Sequence, residues 1–332
     1  MERREISNEV FKKVLNRLPE QIINMLPESP EKLLKYAKRV EEIKYGANIS
    51  DDIKRLMKEY LLNDEEYLMT FYYVMAITFY NKHSVQKPEM AIVAAQTGSG
   101  KSNLTAKLLR QNSNFIFVDS DKYKHFRYDA KAIAEKYPVI YPYLTGPDCY
   151  DHAANVYQYA LDNNYNIIKE TAPSKNKGLI EVSEEEEKKY KISLHILAVS
   201  KINSMLSVHE RYELQITHGL KTAKLTPIKR HNESYDALIE NIKDVENSKY
   251  KDSIYVYTRG LKKNKFEPNQ IYPGKKYKNS VEAIEAARMT DEENTKKEFE
   301  DRYNLIKKQM DNRNAPKDQY EQLDEIKEMK EK

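Results

Sequence analysis

The sequence predicts an α/β protein, a parallel sheet flanked by helices, preceded by an all-α helical bundle, and three observations predict it. After residue 88, short β-branched or apolar runs alternate with longer helical stretches, which is the pattern of a parallel sheet covered by helices. One of those runs, AIVAA, is followed at once by QTGSGKS and then by a helix-like segment. Before residue 85, apolar residues recur at helical spacing, with Pro and Gly breaks between the groups.

Taken in order, Val10, Val14, Leu15 and Leu18, then Leu33, Leu34, Ala37 and Val40, predict several helices. The segment 49–80 opens with Ser50-Asp51-Asp52, a helix-capping sequence, and ends in a Met and aromatic stripe read as helix-packing surface. Strands are expected at AIVAA, NFIFVDSD, YNIIKET, ISLHILAV and DSIYVYT. From about Tyr257 the chain is polar and Lys-rich, breaks at Pro273-Gly274, and continues as a charged helical run. Its apolar residues look too sparse for a core element, so surface helices and a frayed tail are expected. The division is residues 1–85 as the helical bundle, 86–275 as the α/β core and 276–332 as a charged helical tail.

The chain has 332 residues with 56 basic and 52 acidic side chains, a net charge of +4. Its surface is densely charged without a dominant sign, so charge does not indicate nucleic-acid binding. No apolar run approaches the roughly 20 residues that span a bilayer, and MERREISNEV lacks the apolar stretch of a signal peptide. Neither membrane insertion nor secretion is expected. A single cysteine, Cys149, excludes an internal disulfide framework and points to the cytoplasm.

The glycine-rich stretch fits G-x-x-x-x-G-K-[ST], with Ala95 where the first glycine normally stands, then Gln96, Thr97, Gly98, Ser99, Gly100, Lys101 and Ser102. In such a loop backbone N–H groups curl around a nucleotide phosphate, Lys101 reaches the β/γ oxygens and the Ser102 hydroxyl is a ligand for Mg²⁺. Ala95 costs little if its φ is negative. ATP and Mg²⁺ are therefore the expected donor and metal.

Ligands of a parallel sheet sit at the carboxyl ends of its strands. The second expected strand leads into Asp119 and Asp121, which can face a substrate, and Asp121 is the candidate general base for an attacking hydroxyl. The competing reading is that one of the two caps the following helix. The third delivers Glu170 and Thr171, where a carboxylate can hold a substrate hydroxyl or a metal-bound water. The fourth runs into a base-rich stretch with Lys201, Arg211, Lys221, Lys224, Lys229, Arg230 and His231, the charge a lid over a transferring phosphoryl group needs. These features together describe a P-loop kinase core.

QTGSGKS, DSDKY, YNIIKET and especially AVSKINSMLSVHERYE followed by TAKLTPIKRHN resemble the zeta toxins, bacterial P-loop kinases of toxin–antitoxin systems, over residues 88–257. The resemblance implies phosphorylation of the 3′-hydroxyl of the amino sugar of UDP-N-acetylglucosamine, blocking peptidoglycan synthesis. It also implies Lys101 on the phosphates, Ser102 on Mg²⁺, Asp121 as base, Glu170 on the substrate side and Arg211 as a phosphate clamp. Lys224 stands where the family has a second arginine, Thr171 is one place early for the family's E-G-T motif, and Ala154 replaces a substrate-side glutamate unless a short shift brings Asp148 or Asp151 nearer. Zeta toxins are held inactive by a small helical antitoxin, so residues 1–85 are read as a built-in inhibitor, with a structural cap and a separate antitoxin as the competing accounts. A kinase for another small-molecule or nucleic-acid hydroxyl, and a regulator with impaired catalysis, are the alternative functions.

Overall fold

The computed structural model describes residues 3–43, 49–137, 140–173, 178–187, 189–219, 225–260 and 267–331. The strands are β1 (Arg3–Glu5), β2 (Lys38–Val40), β3 (Glu89–Ala94), β4 (Phe115–Phe117), β5 (Asn166–Thr171), β6 (Lys191–Ala198), β7 (Ile254–Thr258) and β8 (Asn269–Tyr272). The helices are α1 (Asn8–Leu15), α2 (Glu20–Met25), α3 (Pro30–Leu34), α4 (Asp51–Glu59), α5 (Asp64–Phe79), α6 (Lys101–Gln111), α7 (Ser120–Tyr123), α8 (Ala130–Lys136), α9 (Tyr141–Asp162), α10 (Leu179–Glu186), α11 (Lys201–Thr217), α12 (Ile228–Glu246), α13 (Ser280–Asn312) and α14 (Lys317–Glu331). By contact the chain divides into two compact units, residues 1–88 with 114–167, and residues 89–113 with 168–332. The helices before residue 85 thus share a unit with 114–167.

In the first unit α5 is the central helix. Tyr67, Leu68, Phe71, Tyr72, Val74, Met75, Ala76 and Phe79 are all buried, so the Met and aromatic run is packing surface, as its composition predicts. Ser50 caps α4 by accepting from Ile53 N–H, and the break before α5 is set by a capping box in which Asn63 and Glu66 satisfy each other's backbone N–H groups. The short ribbon β1–β2, antiparallel with Arg3 opposite Val40, was not expected. Three-residue strands are too short to show a two-residue period.

That ribbon is fastened to α9 by charge. Arg3 donates to Asp151 Oδ1 at 3.0 Å and to Asn155 Oδ1 at 2.8 Å, and Val40 N–H donates to Asp151 Oδ2 at 2.8 Å. Asp148, fully buried, accepts from Arg39 at 2.9 Å, Arg127 at 2.6 Å and Leu62 N–H at 3.1 Å. Neither carboxylate is left unpaired, as burial of a charge requires. Cys149 on the same helix is fully buried, and burial pushes its thiol up to about 12.

The second unit carries the sheet, in the order β5–β3–β6–β7–β8. β3 and β6 run parallel with Glu89 opposite Lys191, β6 and β7 run parallel with Leu194 opposite Ile254, and β8 returns antiparallel to β7. Met90, Ile92, Val93, Leu194, Ile196, Leu197 and Val256 are buried, the near-continuous apolar run of a strand covered on both faces.

The C-terminal region corrects the sequence reading. Phe299, Tyr303, Ile306 and Met310 of α13, with Leu323 and Ile326 of α14, are buried against Ile202, Met205 and Leu206 of α11. Their spacing of four, three and four residues is a helical stripe; the charged residues between them dilute the composition but lie on the other faces. These helices are part of the core.

Candidate active site

The glycine-rich loop leaves β3 and enters α6, whose N-cap, Gly100, is left-handed at φ 96°. Gly98 is also left-handed, at φ 77°, and a Cβ there would stand 2.0 Å from the Ser204 carbonyl oxygen and 2.8 Å from Val208 Cγ2. Glycine is required at Gly98 twice over, by its backbone angle and by the close approach of α11. Ala95 is not among the residues with positive φ, so the replaced first glycine costs no strain, and its N–H donates to the Thr171 carbonyl at 3.4 Å.

Inside the loop, Ser99 Oγ donates to the Gln96 carbonyl at 2.8 Å. Gln96 Nε2 donates to the Val199 carbonyl at 2.9 Å and to Ser204 Oγ at 3.2 Å. These side chains shape the loop from behind. Ser204 Oγ lies 2.8 Å from His231 Nε2, extending the contact to the first turn of α12. His231 was counted among the bases of that stretch, but it is buried and its pKa is lowered to about 4 by burial, so it carries no charge at neutral pH.

Lys101 Nζ donates to the Ala95 carbonyl at 2.8 Å and to the Gln96 carbonyl at 3.1 Å. An ammonium has three donors, so one remains for a ligand. Burial, opposed by Glu170 and reinforced by Arg211 and Arg230, lowers its pKa to about 8. The field of both arginines therefore reaches the loop, from exposed positions on α11 and α12. Glu170 near the end of β5 accepts from Thr105 Oγ1 of α6 at 2.6 Å, which leaves its second oxygen available. Thr97 Oγ1 is buried without an acceptor or donor among the described residues. Ser102 is exposed in the first turn of α6, and no group of three or more metal-binding side chains occurs among the described residues. An exposed hydroxyl at the start of this helix fits Mg²⁺, which keeps waters and takes its other ligands from phosphate when a nucleotide is bound. Lys224 lies outside the described residues.

Asp119 and Asp121 belong to the first unit, and one of them is the helix cap that the sequence left open. Asp119 is the cap, its Oδ1 accepting from Asp121 N–H at 3.1 Å and Lys122 N–H at 3.4 Å. Asp121 caps nothing; its side chain is 81% exposed and is held by Lys124 Nζ at 2.6 Å. Asp148 and Asp151 are consumed by the arginines described above, and Ala154 is exposed on α9, so no carboxylate of that helix segment stands in for the missing glutamate.

Sequence reasoning passed over Arg259, the residue after β7. It packs against the loop, its Nε 3.9 Å from a Cβ built on Gly100. The rule that ligands gather at strand ends was the signal that could have found it.

A family model described as Zeta toxin matches residues 75–276. The zeta toxin of Streptococcus agalactiae is 24% identical over 216 residues, 64% of this chain and 71% of that protein. The zeta toxin of Enterococcus hirae is 24% identical over 180 residues, 54% of this chain and 63% of that protein. A solved structure from the PezAT chromosomal toxin–antitoxin system of Streptococcus pneumoniae superposes with a TM-score of 0.59 at 15% identity, covering 76% of this chain and 98% of the other. That likeness is one of fold. No helix among the described residues is long and apolar enough to cross a membrane.

Proposed function

The chain belongs to the zeta toxin family, whose members are kinase-type phosphotransferases, and from that premise we propose that it transfers the γ-phosphoryl group of ATP to the 3′-hydroxyl of the amino sugar of UDP-N-acetylglucosamine. The observation that carries the reading is Lys101, fixed by two loop carbonyls and lying in the field of Arg211, Arg230 and Glu170. An ammonium held this way keeps one donor aimed at incoming phosphate and needs no rearrangement as charge builds on the transferring group.

Ser102 would hold Mg²⁺ together with the nucleotide's own oxygens, and the metal supplies neutralisation of the developing charge. Backbone N–H groups of Gly98, Ser99, Gly100, Lys101 and Ser102 receive the phosphates at the start of α6. Glu170 holds the acceptor through the oxygen that Thr105 does not use. Asp121 accepts the proton of the attacking hydroxyl; Lys124 holds its carboxylate in place. Arg211 clamps the phosphates, and Lys224 and Arg230 share the role of the family's second arginine.

The partner we assign is a separate antitoxin, and residues 1–85 are assigned the structural cap. The buried pair of Arg39 with Asp148 and the part-buried pair of Arg3 with Asp151 support the cap, because a segment that detaches would strand a buried carboxylate. The direct test is mass spectrometry of UDP-N-acetylglucosamine after incubation with the protein, ATP and Mg²⁺. One added phosphoryl group is expected, and its absence with Asp121→Asn; an Asp121→Asn enzyme with full turnover would remove that residue as base.

A further inference from the structure

Among the described residues no carboxylate is in ion-pair contact with Arg259. One terminal nitrogen donates to two neutral acceptors of α11, Ser207 Oγ at 2.7 Å and Asn203 Oδ1 at 3.2 Å. Its Nε is buried and has no acceptor among the described residues. Arg302 donates to the same two acceptors, at 2.8 Å to Asn203 and 3.1 Å to Ser207, but is itself paired with Glu210 at 2.6 Å. Asp291, another carboxylate of this network, accepts instead from Asn203 Nδ2 at 2.9 Å and Ser200 N–H at 2.8 Å.

Arg259 therefore stands beside a second arginine and against Gly100, the N-cap of α6. The start of a helix carries about half a positive charge, so two sources of like sign face the guanidinium. A structural arginine would ordinarily be placed where a carboxylate or a carbonyl-rich helix end meets it. Burial and then Arg302 lower the pKa of Arg259 and outweigh Asp291 and Glu210, which raise it from beyond ion-pair contact.

We infer that Arg259 is a ligand for the polyphosphate of the bound nucleotide, its counterion arriving with the substrate. This rests on the reading of the loop as an ATP site and adds to it a contact from the end of β7. The guanidinium offers a planar fork to phosphate oxygens, while Asn203 and Ser207 of α11 hold its other edge in place. It explains why Asn203 and Ser207, both uncharged, line the side of α11 that meets Arg259.

The test compares the full chain with its Arg259→Met, Arg259→Lys and Lys101→Met variants by calorimetric titration of Mg²⁺–ATP and by thermal unfolding with and without ATP. Loss of a charge-assisted hydrogen bond is about 10- to 100-fold in affinity. Arg259→Met should weaken ATP by that factor, Arg259→Lys by less, and neither should lower the unfolding temperature without nucleotide. A merely structural arginine gives the opposite pattern, a lowered unfolding temperature with the ATP-induced rise retained, and that result overturns the inference. ATP binding lost in Lys101→Met and intact in Arg259→Met removes this inference alone. No ATP binding by the unmodified chain removes it together with the loop reading.

Discussion

In the first unit Asp148 meets Arg39, Arg127 and the Leu62 N–H at 2.9, 2.6 and 3.1 Å, whereas in the second unit Lys101 and Arg259 border the glycine-rich loop with no carboxylate in ion-pair contact among the described residues. Burial is costly for charge in both places. Where partners are supplied by the chain itself, the charge serves the architecture. Where they are withheld, the cost is kept in the free protein, and under the proposed function an anion relieves it on binding. On that proposal the difference separates residues that hold the fold from residues that hold the substrate, although both sets look alike in the sequence.

The largest effect should come from breaking the compensated side. Arg127→Met leaves Asp148 short of a partner and should cost about 3–5 kcal/mol of stability, read by urea unfolding; a loss under about 1 kcal/mol would mean the pairs are not what secures the unit. On the uncompensated side, Lys101→Met should leave the stability of the free protein unchanged or higher and cut phosphoryl transfer by about 10²–10³. A variant that unfolds instead would reverse the assignment of the two sides.

The pKa of Lys101 sharpens the same contrast. Its folded value of about 8 lies below the ordinary 10.5, so between those values the unfolded chain binds more protons and the lysine's share of stability rises with pH through the window. Affinity for ATP should do the reverse, falling by up to about tenfold per pH unit above 8, with proton uptake on binding. A flat titration profile for the unmodified chain would contradict this. The smallest effect concerns a residue on neither side of the contrast: Asn63→Ala removes the cap of α5 and should cost about 1 kcal/mol, with transfer activity unchanged when measured well below the unfolding temperature.

Much of this was legible in the sequence, because the signals were local. The strands around the loop, the Ser50 cap and the Gly98 to Ser102 loop follow from nearest-neighbour patterns. The C-terminal stripe of Phe299, Tyr303, Ile306 and Met310 was legible too, but an abundance of Lys and Glu around it misled a reading by composition. Other features depend on what the fold brings together. Nothing in the chain order says that Asp119 caps while Asp121 stays exposed, that Asp148 and Asp151 face arginines far away in sequence, or that Arg259 lies against Gly100. His231, read as one more base, is neutral because of where it is buried.

Phosphoryl transfer to a sugar hydroxyl at this loop is tested most directly by following γ-phosphate-labelled ATP incubated with the protein, Mg²⁺ and UDP-N-acetylglucosamine. Label is expected on the amino sugar in amounts equal to the ADP formed, and Lys101→Met should cut it by about 10²–10³. Tight ATP binding with no label on the sugar would contradict this transfer.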